Sequence, residues 1–180
     1  MDPEKQESEE KSKSLSKDSW KDRLTFGGNF WLGFGSFSSQ VIIQPLVGYK
    51  VTDKFLAGGG LTYIYWKETY QLTNGSSLSF SDNIYGLNFF GRHTIFEPLF
   101  AHVEFQPLNF TSFNFMTGDN KRLWTNALYL GGGINQSFGK TGSGAYIMLL
   151  YDVLWRQSDP NGFQQSFYNS PYNIRFGLFL

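Results

Sequence analysis

Three ionisable side chains, Arg92, His102 and Glu104, stand close enough around one predicted turn to do chemistry together. Glu97 and Pro98 mark that turn. Antiparallel pairing across it sets Arg92 opposite His102, with Glu104 one diagonal step away on the same face. A carboxylate beside an imidazole and a guanidinium could handle protons or hold a ligand. The same trio could equally close on itself as a salt-bridged plug, since charges taken out of water persist when they are paired. Asp152 and Arg175 are further candidates for this cluster, although the long loop between them leaves their register open.

Little else in the 180 residues offers chemistry. The absence of cysteine excludes disulfides, thiolate zinc sites and cysteine nucleophiles, and leaves His93 and His102 as the imidazoles, so neither metal nor cofactor is expected. Ser77, Ser79 and Ser81 form no nucleophile elbow. The glycine runs 58–60 and 131–133 precede no predicted helix and have no well-placed lysine, so they are not phosphate loops. These residues predict no catalytic site and no enzyme. Fifteen basic residues balance fifteen acidic ones, which leaves no field to attract nucleic acid.

The elements that must position the cluster read as strands. Aromatic residues reach 19 % and glycine counts 20, a pairing suited to strands and tight turns. Residues 1–22 form a charged, Ser-rich tail expected to be disordered on the periplasmic side of the barrel proposed below. The tail carries no signal peptide, so export implies that a signal was removed from this chain. Residues 23–180 are read as one barrel domain. Strands are expected at about 23–35, 40–50, 55–66, 84–94, 99–110, 123–138, 145–154 and 172–180, most of them apolar at alternate positions. The final strand shows it best, with Tyr172, Ile174, Phe176, Leu178 and Leu180 alternating with Asn173, Arg175, Gly177 and Phe179. The stretch 145–154 is apolar on both faces and is also compatible with a buried helix. Polar loops are expected at 67–83, 111–122 and 155–171, and short turns near residues 53, 97 and 141. No run of about 18 apolar residues exists, so no membrane-spanning helix is predicted.

Eight strands of about ten residues predict an all-β fold, an eight-stranded antiparallel up-and-down transmembrane β-barrel with short turns on one side and longer loops on the other. A soluble lipocalin-like barrel binding an apolar small ligand is the alternative, with polar side chains outside and apolar ones inside. The faces favour lipid outside. One face carries Asn29, Gln44, Thr62, Asn88, Gln106 and the charged candidates interleaved with glycines, and the other carries Phe26, Phe30, Leu61, Phe89, Phe105, Leu130 and Phe176 with hardly a charge. Tyr49, Tyr63, Tyr65, Trp66, Tyr85, Trp124, Tyr151, Trp155 and Tyr172 fall near strand ends, as interfacial girdles do. His93 has the lipid-facing parity.

The stretches Phe26-Gly-Gly-Asn-Phe30, Pro45-Leu-Val-Gly-Tyr49, Phe100-Ala-His-Val-Glu104 and Tyr172-Asn-Ile-Arg-Phe-Gly resemble the small outer-membrane β-barrel family of Gram-negative envelopes, the OmpX-like and OmpA-transmembrane-domain-like proteins. The resemblance covers residues 23–180. It implies a non-enzymatic barrel in the cell outer membrane, inserted by the barrel-assembly machinery and acting as a structural or accessory component of the envelope. The chain departs from the family in ending on Leu180, with Phe179 on the opposite parity, where an outward aromatic is usual. The interior of so small a barrel is filled by side chains, which favours the plug for Arg92, His102, Glu104, Asp152 and Arg175. Partners expected are outer-membrane lipid and a protein meeting the aromatic loops, through Phe80, Phe113, Phe115, Phe163, Phe167 and Tyr168.

Overall fold

The computed structural model describes residues 20–35, 37–71, 75–114, 117–138, 143–161 and 163–180. All but the last three residues of the expected tail lie outside them, as does Phe115. A short 3-10 turn, Lys21–Arg23, leads into eight strands: β1 Leu24–Phe34, β2 Ser38–Lys50, β3 Phe55–Gln71, β4 Ser77–Phe96, β5 Leu99–Phe113, β6 Asn120–Ser137, β7 Gly144–Asp152 and β8 Tyr172–Phe179. Each pairs antiparallel with the next, and β1 closes on β8, so the sheet is a closed barrel in sequence order. Closure leaves no full-length free edge, the condition an alternating sheet must meet when one face is apolar. The connections after β2, β4 and β6 lie at the end that holds both termini, in keeping with an even strand number. The β4–β5 turn is closed by the cis peptide Glu97–Pro98.

Two stretches expected as loops are mostly strand. Residues 67–71 pair with residues 77–81, from Lys67↔Ser81 to Gln71↔Ser77, and residues 111–113 pair with residues 120–122. Alternation vanishes there because both faces meet water: Ser77 to Ser81 are all exposed, whereas burial alternates further down β4. A ribbon that buries neither face needs backbone pairing and β-propensity, not an apolar stripe. The helical option for 145–154 is not taken. β7 alternates in burial, with Tyr146, Met148 and Leu150 inward and Ile147, Leu149 and Tyr151 outward. Both of its faces are apolar because the inward one joins an interior apolar cluster with Phe100, Ala127 and Tyr129.

The interior is therefore layered. A second apolar cluster of Ile64, Ile84, Leu108 and Phe110 fills the end beneath the β7–β8 loop, and Phe167 and Tyr168 of that loop pack against it. Ser112 Oγ donates to the Gln164 carbonyl at 2.7 Å, Asn114 Nδ2 to the Asn161 carbonyl at 3.0 Å, and Thr125 Oγ1 to the Gln165 carbonyl. The loop is thereby pinned over the mouth. Between strands, glycine permits close approach: a Cβ on Gly27 would come within 2.5 Å of the Leu178 carbonyl oxygen, and one on Gly177 would enter the Tyr146 ring. Replacing Gly177 by Val should lower the unfolding free energy by about 1–3 kcal/mol, the usual cost of overpacking. Urea unfolding in detergent micelles, followed by tryptophan fluorescence, measures it, and an unchanged midpoint would show that the Tyr146 ring can yield.

Candidate functional site

A polar network crosses the interior, with side chains from β1, β2, β3, β5, β7 and β8. Asn29 on β1 donates through Nδ2 to Gln44 Oε1 at 3.0 Å, and Gln44 Nε2 donates to Thr62 Oγ1 at 3.1 Å. From the far side Gln106 Nε2 donates to the same Thr62 hydroxyl oxygen at 3.0 Å, and the Tyr146 hydroxyl closes on Asn29 Oδ1 at 2.7 Å. Arg175 reaches across from β8. Its Nη2 lies 3.4 Å from Gln106 Oε1, its Nε donates to Asn173 Oδ1 at 3.2 Å, and its Nη1 pairs with Glu104 Oε1. The other Glu104 oxygen meets His102 Nε2 at 3.1 Å. These residues alternate along their strands, so one inward face per strand gathers them on the barrel axis.

Arg92 and His102 do sit opposite each other across the β4–β5 turn. The structure brings Glu104 together with His102 and Arg175, however, and among the described residues Arg92 pairs with no carboxylate. Its guanidinium carbon lies 4.3 Å from the Phe100 ring centroid and 4.1 Å from that of Tyr146, which holds a cation between two aromatic faces. Arg175 is likewise 4.7 Å from the Tyr129 ring centroid. Asp152 stands apart from the cluster at the loop end of β7, where its Oδ1 accepts the Leu128 and Leu154 amides at 3.1 and 3.0 Å. It caps a turn. His93 is exposed on the outer wall beside Phe55.

Sequence reading placed the polar residues on the correct face but missed which of them join. The aromatic partners Tyr129 and Tyr146 could have been suspected from their inward parity, yet nothing local connects β7 to β4. Chemically, each oxygen of Glu104 has a partner and the carboxylate is buried, so it does not face an open site. Arg92 Nε, His102 Nδ1, the Asn88 amide and the Tyr129 hydroxyl are sealed from solvent without a hydrogen-bond partner among the described residues. In the loop over the mouth, burial pushes the Tyr168 phenol above its ordinary value, so that side chain stays uncharged.

Fold and site together define a closed eight-stranded antiparallel barrel with a polar, side-chain-filled middle layer and an apolar outer wall. No protein-family model matches the chain, and no curated protein matches it. Among solved structures it is similar to the N-terminal β-barrel domain of Pseudomonas aeruginosa OprF, at 12 % identity and a TM-score of 0.38, over 87 % of this chain and 94 % of that one.

Removing one member of the Glu104–Arg175 pair strands the other. Glu104→Gln and Arg175→Met should each cost about 3–5 kcal/mol, and the double variant clearly less than their sum. A double-mutant cycle of unfolding free energies in micelles reads this directly. Strict additivity would mean that the two charges do not stabilise one another.

Proposed function

We propose that this chain is a non-enzymatic outer-membrane barrel, a structural or accessory component of the Gram-negative envelope that is closed to solute. The observation that carries the reading is the outer wall. Phe26, Phe30, Leu61, Phe89, Leu130, Leu149, Ile174 and Leu178 all point outward and are exposed, Leu61 and Ile174 to 60 % each. A wall of this extent is an aggregation surface in water and an ordinary one in lipid. Toward the loop end it gives way to Tyr63, Tyr85, Trp124, Tyr151 and Tyr172, the residues of an interfacial girdle. Beyond the girdle come polar pairs: Tyr63 donates to Asn83 at 2.8 Å, and Arg122 bridges Asp82 at 3.0 Å.

A soluble lipid-carrier barrel needs the reverse polarity, a wet exterior and a dry apolar pocket, and the buried Glu104–Arg175 layer opposes it. An enzyme is opposed by the full engagement of Glu104. Lipid and the assembly machinery are the partners this reading requires. A protein partner beside a larger complex would meet the exposed Phe80 on the β3–β4 ribbon and not Phe167 or Tyr168, which are committed to the mouth.

Fractionation of expressing cells should recover the protein in the outer membrane, with a folded form whose gel migration changes on boiling. Recovery as a soluble monomer without detergent would overturn the reading. Phe105→Arg, on the outward face, should cost about 2–4 kcal/mol of folding free energy in bilayers if it lies at the midplane, falling to about 0–1 near an interface. A neutral result together with a soluble protein would assign the wall to water.

A further inference from the structure

The β1–β8 seam is the weak join of the barrel. β1 pairs with β2 along its whole length from Leu24 to Phe34, and β8 pairs with β7 from Tyr172 to Phe179. Against each other they keep Gly27↔Phe179, Gly28↔Leu178 and Asn29↔Gly177, and the ladder then stops. Continuing the register would set Trp31 opposite Arg175, whose guanidinium is turned to Glu104, Gln106 and Tyr129. The indole turns instead to stack on outward Phe176, with ring centroids 6.0 Å apart, and stays 44 % exposed. Above Asn29 the wall is parted, and a cavity of about 200 Å³ occupies the gap. Its lining mixes the two sides of the barrel: outward Phe30, Ile174 and Phe176 at the rim, and inward Gln40, Gln44 and Arg175 at the floor. An opening of this kind joins the polar interior sideways to whatever surrounds the barrel.

We propose that this break is a lateral binding slot for an uncharged, oxygen-bearing head of a single-chain amphiphile, whose alkyl chain leaves between β1 and β8 into the surrounding lipid. The proposal rests on the membrane reading above, since only lipid delivers such a ligand through the wall. The floor decides the head chemistry. Arg175 is already neutralised by Glu104 and bonded at Nε and Nη2, so it offers no unmet demand for an anion. The Gln40 amide, by contrast, makes no hydrogen bond among the described residues and lines the slot with both a donor and an acceptor. A hydroxyl or ester head satisfies it; an ionised head would also lose its hydration for no new counter-charge. The volume admits such a head with a few methylenes and leaves the rest of the chain outside.

Trp31 reports occupancy. The full chain is inserted into phosphatidylcholine vesicles, insertion is verified by flotation, and a monoacylglycerol with a brominated chain is titrated in. The Trp31 contribution is taken as the difference between wild type and Trp31→Phe. Quenching should saturate, the brominated alkane without a head should quench only in proportion to its mole fraction, and Gln40→Leu should raise the half-saturation about three- to tenfold. Floating protein with merely proportional quenching, or with equal saturation by the headless alkane, or with an unaltered Gln40→Leu titration, overturns the slot and leaves the membrane reading standing. Tighter saturation by an ionised brominated fatty acid overturns the assignment of an uncharged head. Protein that does not float overturns the membrane reading, and the slot with it.

Discussion

Glu104 is a carboxylate on the axis of a barrel, removed from water on every side, and the arrangement around it follows from neutralising that charge. Arg175 meets one oxygen and His102 the other. Arg175 can do so only from β8, so the pair ties the last strand to β5 across the lumen, while Gln106, Thr62, Gln44 and Asn29 extend the same polar layer around to β1. Interior charge survives in a medium of low polarity when it is paired and its remaining hydrogen-bonding capacity is met. Arg92 is the instructive exception: its charge faces two aromatic rings and not a carboxylate, a weaker arrangement that still shields the guanidinium from apolar neighbours.

The filled interior constrains the wall in turn. An eight-stranded barrel has room for one layer of side chains from each strand, so large inward residues must face glycine. Tyr146 occupies the space that Gly177 leaves empty, and Met148 the space beside Gly133. The wall is parted where β1 and β8 would set Trp31 opposite Arg175. The parted seam is not a matter of weak strands, since both are fully paired on their other edges.

Beyond the belt the rules change. The β3–β4 ribbon has no face to bury and so no alternation to read, and its stability comes from backbone pairing and small polar contacts such as Thr69 with Ser79 at 2.9 Å. Lys67 and Asn83 look like loop residues by polarity alone; paired strands that stand in water look the same in sequence as turns do. The β7–β8 loop shows the opposite case, irregular backbone that is nonetheless held in place by bonds to Ser112, Asn114 and Thr125.

Alternation is a property of single strands, so the sequence by itself determined most of the strands, which residues share a face, and that the two faces differ in polarity. Antiparallel order across one tight turn was equally local, and the pairing of Arg92 with His102 could be read from it. What joins residues distant in sequence was decided only by closure of the barrel. Glu104 and Arg175 are neighbours because β8 returns to the side of the lumen that β5 faces, and Arg92 meets Tyr146 because β4 and β7 stand across it. Stagger and side-chain volume set those meetings, and neither quantity is carried by any one strand.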